Sequence, residues 1–198
     1  SDSDGTGRNL TVMDHGTTTV NAEIGMTNPL ASVIFDGGGN TVLNDDITTS
    51  GGTMTDNNAV LVNAAIATLT DTGGTGIFFN NTVDANGGAN SLVVNTNVAD
   101  NTSPMPVISF AADVGTTDPL AAYAATIVGG QRAAGMLTGD HTFNLAITTD
   151  GAFTMGPNEK FTTIGSLTIN AGGTATLSDT NTSRNLTVNS ADIDITGR

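Results

Sequence analysis

The twelve residues VNAEIGMTNPLA, Val20 to Ala31, return ninety positions later as FAADVGTTDPLA, Phe110 to Ala121. Six of the twelve are identical, and Glu23/Asp113, Ile24/Val114 and Asn28/Asp118 exchange like for like. A second stretch, NTVLNDDITTSGGTM from Asn40 to Met54, is matched by HTFNLAITTDGAFTM from His141 to Met155, anchored on Ile47-Thr48-Thr49 and Ile147-Thr148-Thr149. A third, RNLTV at Arg8 to Val12, recurs at Arg184 to Val188. Three colinear matches with drifting offsets describe a repeat whose insertions fall in loops. Such units cannot bury their apolar faces alone and are built to stack. The spacing gives units at approximately 8–97 and 98–183, with a third starting at 184–198, inside one solenoid that spans 1–198.

Short runs of β-branched and aliphatic residues recur every six to twelve positions. Leu10–Val12, Ser32–Phe35, Thr41–Leu43, Ala59–Val62, Ala67–Leu69, Gly76–Phe79 and Ser91–Val94 read as strands in the first half. Val107–Phe110, Thr126–Val128, Ser166–Ile169, Thr174–Leu177, Leu186–Val188 and Ile193–Ile195 continue the series. They alternate with period two and are bounded by Gly-Gly, Asn-Gly and Asp-Gly turns. The Ala-rich PLAAYAATIV, from Pro119, is the best helical candidate, but its earlier copy PLASVIF reads as a strand, so both are expected to be strands.

A sandwich of hairpins has no reason to repeat at ninety residues and normally carries a larger aromatic core than 4% Phe, Trp and Tyr supply. Stacked coils explain both features, because each buries only a thin slice of interior. Small Val, Leu, Ile and Ala side chains are expected to fill it. At roughly 22 residues per coil the chain makes about nine coils and a rod of about 40 Å. The expected fold class is therefore all-β, a parallel β-helix with no capping helix.

Nineteen acidic against five basic residues give a net charge of −14. That balance offers phosphates and anionic headgroups no basic patch, which argues against nucleic acid and lipid surfaces as partners. No apolar run is long enough to span a membrane. The absence of Cys excludes disulfide scaffolds and thiolate metal sites and fits a large extracellular protein held by backbone pairing.

Ile77 to Thr96 (IFFNNTVDANGGANSLVVNT) and Ile108 to Gly130 (ISFAADVGTTDPLAAYAATIVGG) resemble the repeats of filamentous-haemagglutinin-like bacterial exoproteins. The resemblance covers most of Arg8 to Val188. It implies a right-handed β-helix, secretion to the cell surface or beyond, and a part in adhesion or an extracellular matrix. It carries over no catalytic residue. The amino-terminal secretion domain of those proteins has no counterpart here.

Asn44-Asp45-Asp46 is similar to the paired aspartates of β-helical glycoside hydrolases. Acid–base cleavage of a sugar bond needs two carboxylates at a set separation, and an acidic sugar needs bases to bind it. Arg8, Arg132, Lys160, Arg184 and Arg198 are scattered, and the second copy reads Leu145-Ala146, so a solvated turn is the expected role. His15 and His141 share no spacing to an acidic partner. Thr-x-Thr steps such as Thr68/Thr70 are too irregular for an ice-binding plane. Asp36 opens a Gly/Asp-rich turn like one copy of a Ca²⁺ nonapeptide, which needs tandem copies to work. Asp36, Asp45, Asp46, Asp192 and Asp194 remain the candidates for opportunistic Ca²⁺, and otherwise neither an active site nor a cofactor is expected.

The ends offer no obvious cap for the strand edges that a β-helix exposes. Arg8, Asn9, Leu10, Thr11 and Val12 at one end are expected to form an interface with further units. Arg184, Asn185, Leu186, Thr187, Val188, Ile193 and Ile195 do so at the other. The chain is then either a subunit that stacks head to tail or a section of a giant repetitive fibre, with the boundary of an excised segment as the plain alternative. The partners expected are further copies or repeats and a glycan or surface receptor. A carbohydrate-binding or carbohydrate-cleaving β-helix is the competing class, with Asp45, Asp46 and Phe35 lining its groove.

Overall fold

Alternation of polar and apolar residues produces strands here because only one face of each faces an interior. A computed structural model describes residues 7–73, 76–98, 107–129, 139–143, 146–149, 153–155, 159–163, 167–171, 174–177, 186–189 and 192–195. Side chains are described over 7–73, 76–96 and 108–124 and at Ala171. Every regular element among these residues is a strand.

The strands fall on three faces, and the chain visits them in turn. The first face holds β1 (Asn9–Met13), β3 (Ser32–Asp36), β6 (Met54–Asp56), β9 (Ile77–Phe79), β12 (Val107–Phe110), β14 (Gly139–Phe143) and β17 (Glu159–Thr163). The second holds two runs, β2 (Thr17–Val20), β4 (Asn40–Leu43), β7 (Ala59–Val62) and β10 (Val83–Ala85) in one and β15 (Ala146–Thr149), β18 (Leu167–Ala171) and β20 (Leu186–Asn189) in the other, with the isolated bridge Val83↔Val114 beside the first. The third holds β5 (Ile47–Thr49), β8 (Ile66–Asp71), β11 (Ser91–Val98), β13 (Ala122–Gly129), β16 (Phe153–Met155), β19 (Thr174–Leu177) and β21 (Asp192–Ile195). All pairings between them are parallel, each strand lying on the strand one coil away.

This is a parallel β-solenoid, with about four turns described in side-chain detail from β1 to β11. Register steps such as Asn9↔Ser32, Val33↔Met54 and Met54↔Ile77 give coils of 23, 21 and 23 residues, close to the expected length. Ile77↔Ile108 and Ile108↔His141 lengthen them to 31 and 33. Longer coils mean fewer of them: no sheet among the described residues exceeds seven strands, short of the nine coils expected.

Each strand so expected lies in one of these elements, save that Gly76 directly precedes β9, that only Ala122–Val128 of PLAAYAATIV lies in β13, and that Ser166 lies outside the described residues. The composition of the interior differs from expectation. Phe35, Phe79, Phe110 and Tyr123 are buried beside Val33, Leu43, Ile47, Val60, Leu92 and Ile108. The Phe79 and Phe110 rings stack with centroids 4.6 Å apart and planes 8° off parallel. That distance is close to the roughly 4.8 Å between neighbouring strands, so in-register stacking brings two rings into contact at no cost in geometry. A few rings share with aliphatic residues the interior that small side chains alone were expected to fill.

The corner after the second face is held by a ladder. Asn21, Asn44, Asn63 and Asn86 each follow the last residue of a second-face strand. Asn44 Nδ2 donates to Asn21 Oδ1 at 2.7 Å, Asn63 Nδ2 to Asn44 Oδ1 at 2.6 Å, and Asn86 Nδ2 to Asn63 Oδ1 at 3.1 Å. A side-chain amide both donates and accepts, so identical residues one coil apart satisfy one another, as in other stacked-strand assemblies. Replacing an inner rung breaks two of these bonds and replacing the last breaks one. Asn63→Ala is expected to cost about 1 to 2 kcal/mol in urea unfolding and Asn86→Ala roughly half as much. Equal costs would show that the ladder does not act as a unit.

Candidate functional site

Two groupings around acidic side chains stand out, a cluster of three outside the solenoid and a single aspartate with polar partners within it. The outer one lies at the corner between the second and third faces. Glu23 precedes Ile24, and Asp45 and Asp46 precede Ile47, and Ile24 and Ile47 bridge in parallel. Coil stacking therefore sets Glu23 against the adjacent pair Asp45 and Asp46 of the next coil, each of the three offering an oxygen within 4.8 Å of the others. Glu23 is exposed, and Asp45 and Asp46 are half-buried. Asp45 Oδ1 accepts from the Asp46 amide at 3.0 Å, and Asp46 Oδ1 accepts from the Thr68 amide at 2.7 Å. These bonds hold the two aspartates in place and leave oxygens facing Glu23. Three hard carboxylate ligands at one corner are the donor set a divalent cation such as Ca²⁺ takes.

Of the residues expected to bind Ca²⁺, then, Asp45 and Asp46 come together. Asp36 stands apart and accepts from the Gly37 amide at 2.7 Å. The Asp192 and Asp194 side chains lie outside the described residues, although their backbone pairs with β19. Glu23 was missed because its two partners are 22 and 23 positions away, a distance that has meaning only once the coil length is known.

The expected interface residues also separate. Asn9 to Val12 lie in β1, which among the described residues pairs only with β3. Leu10 and Val12 are half-buried, whereas Val33 and Phe35, one coil further in, are 0% and 2% exposed. Leu186 to Val188 lie in β20, paired with β18, and Ile193 and Ile195 in β21, paired with Ala175 and Leu177. Arg8 precedes β1, and Arg184 and Asn185 lie outside the described residues.

The inner grouping centres on Asp56. It occupies the core position that Phe35 holds one coil before and Phe79 one coil after. It is 6% exposed. Its Oδ1 accepts from the Thr41 hydroxyl at 3.1 Å and the Asn58 amide at 3.0 Å, and Asn58 Oδ1 in turn accepts from the Gly38 amide at 3.0 Å. A cavity beside it, between Phe35 and Phe79, has about 10 Å³ of room for a water centre, near the least that holds one water. Burial disfavours the charged form and outweighs the two hydrogen bonds that favour it, so the carboxyl is pushed up from 3.8 to about 7.

The sign of the pH effect follows. Between about pH 4 and pH 7 the folded state keeps a proton on Asp56 that the unfolded chain has released, so stability falls as pH rises through that window. The slope contributed by this group approaches about 1.4 kcal/mol per pH unit. Asp56→Asn keeps the shape and removes the proton. Thermal unfolding from pH 4.5 to 8 is expected to show a shallower decline in the variant than in the parent protein, and identical slopes would mean that Asp56 ionises in the fold as it does in water.

Comparison of the chain with protein-family models, with curated proteins and with solved structures returns no match.

Proposed function

We propose that this chain is a structural rod, an extracellular, acidic, repetitive β-helix that builds a fibre or displays an adhesive surface by adding coils or copies end to end. The observation that carries this reading is the parallel stacking of each described strand on the strand one coil away, so that a coil offers its neighbour both a row of backbone partners and an apolar slice to seal. The sequence repeat supplies strands of the same kind, RNLTV among them. The winding is right-handed on this reading, because each coil is a crossover between neighbouring parallel strands of one sheet and such crossovers are right-handed in nearly all cases. A surplus of negative charge keeps such rods from clumping sideways while pairing acts along the axis.

Electron microscopy of the native material, with the chain mass measured on the same sample, tests this. Filaments with a repeat of about 4.8 Å along the axis support the reading. Discrete short rods overturn it and bring forward a carbohydrate partner at the Asp45–Asp46 surface.

A second reading concerns Ca²⁺ at the Glu23, Asp45 and Asp46 corner, and the observation favouring it is the approach of three carboxylates. Bound Ca²⁺ would replace mutual repulsion by shared coordination and tie the first coil to the second. At a concentration one hundred times its dissociation constant it stabilises by about 2.7 kcal/mol. Millimolar Ca²⁺ is expected to raise Tm in the parent protein and to lose most of that effect in Glu23→Gln; no rise in the parent protein ends this reading.

A further inference from the structure

The best-preserved phrase of the repeat makes the same loop twice, on different faces. In the first copy Gly25 is buried, Met26 and Thr27 are exposed, Asn28 and Pro29 are half-buried, and Leu30 is buried. The second copy repeats that order with Gly115, Thr116, Thr117, Asp118, Pro119 and Leu120. Gly25 and Gly115 both have positive φ, at 80° and 66°, which their shared place at the loop entry requires. The first loop rises from the third face, since Ile24 bridges Ile47 and Leu30 bridges Thr49, both in β5. The second rises from the second face: Val114 bridges Val83 of β10, and Asp84 Oδ1 accepts from the Thr117 amide at 3.0 Å.

Every other matched segment moves the same way. β4, β5 and β6 lie on the second, third and first faces, and their copies β14, β15 and β16 lie on the first, second and third. Leu10 to Val12 lie on the first face and Leu186 to Val188, two units on, lie on the second, which is two such steps back. From Val20, after β1, to Phe110, at the end of β12, the chain advances four coils less one face.

We propose that the rod's surface is organised as a three-fold screw, in which each repeat unit carries its protruding loop one face back around the axis. One face then sees the same loop again only after three units, or eleven coils, a period of about 53 Å at roughly 4.8 Å per coil. Successive loops are separated along the axis by about 18 Å on the same basis. Such a surface fits a partner with several identical sites that surrounds the rod and links it to its neighbours. It does not fit a flat partner that meets one side. That consequence rests on the rod reading, whereas the screw itself is a property of a single chain.

The chain has no cysteine, so pairs of introduced thiols report proximity without interference. The carriers are Asp84→Cys with Thr117→Cys, which joins the second loop to the second face, and Asn95→Cys with Thr117→Cys. Asn95 is the residue stacked, through Thr70, on Thr48 of the third face, where an unrotated second loop would sit. Thr48→Cys with Thr27→Cys serves as the reference for the first loop. After treatment of the folded monomers with a short bifunctional thiol reagent, free thiols are expected to be lost in the first pair and the reference and kept in the second pair. Closure of Asn95→Cys with Thr117→Cys overturns the proposal. Failure of the Asp84 pair while the reference closes overturns it as well, and failure of both in chains with a β circular dichroism spectrum removes the loop equivalence on which it stands. The cross-link is read on single chains, so it can fail while filaments form and succeed where they do not.

Discussion

Backbone pairing between successive coils is the interaction on which the rest of the structure depends. A strand of this solenoid leaves a row of N–H and C=O groups on each edge, and each row is satisfied by the strand one coil above or below. Because the pairing is parallel and in register, each side chain also sits over its counterpart one coil away, at a separation of about 4.8 Å. The same rule has three different outcomes according to the residue that is repeated. Amides bond to one another in the Asn21–Asn44–Asn63–Asn86 ladder. Aromatic rings stack, as Phe79 does on Phe110. Carboxylates are pressed together, as at Glu23, Asp45 and Asp46. The first two outcomes stabilise the rod, and the third creates, among the described residues, a place where a cation would find a set of carboxylate ligands.

Asp56 interrupts the aromatic column between Phe35 and Phe79, and the interruption is provided for locally. Thr41 comes from the second face of the preceding coil, and Asn58 comes from the turn directly after β6. A buried polar group costs free energy unless it is bonded, so its partners fix how the coils must sit on one another. A slip of one coil would set Asp56 away from Thr41 in an apolar slice. Asp71 plays a related part at the next corner, where its oxygens accept from the Thr49 hydroxyl and from the amides of Gly73 and Gly76. Aliphatic columns alone would tolerate such slippage, since Val on Val and Val on Leu differ little. These buried acids give the stack a register as well as a core.

Strands were legible wherever period two met β-branched residues, as in Ser32–Asp36 and Ala59–Val62. Those that escaped notice are short or carry a charge. Met54–Asp56 and Val83–Ala85 have three residues each with an Asp among them, and Thr17–Val20 is mostly Thr. Their neighbours in the sheet hold them extended, so local propensity had little to show. The aromatic interior was hidden for a different reason. A low overall content points to an interior without rings, whereas this solenoid sets three of its few, Phe35, Phe79 and Phe110, in one column and packs Tyr123 against it. The acidic corner was half legible: Asp45-Asp46 is adjacent in sequence, but Glu23 joins it only through a coil length that varies from 18 residues at Thr174↔Asp192 to 33 at Ile108↔His141.

That variation in coil length also explains how a sequence repeat can fall out of step with the coil. The Gly-x-Thr-x-Pro-Leu phrase specifies a local shape: a glycine at positive φ, a two-residue exposed tip, a proline and a buried leucine. None of these requirements refers to a particular face. Each demands only an interior on one side and a strand of a neighbouring coil beside it, and the second and third faces both supply these. The neighbouring strand differs accordingly, with Thr48 of the following coil against the first loop and Asp84 of the preceding coil against the second, and the second copy uses that Asp84 to bond its own Thr117 and Asp118 amides. Local sequence thus determines the shape of a corner, and the summed lengths of the preceding coils determine where around the rod it appears. A repeat of this kind is free to lengthen or shorten by part of a coil without loss of core, because the interior presents the same apolar demand at every angle.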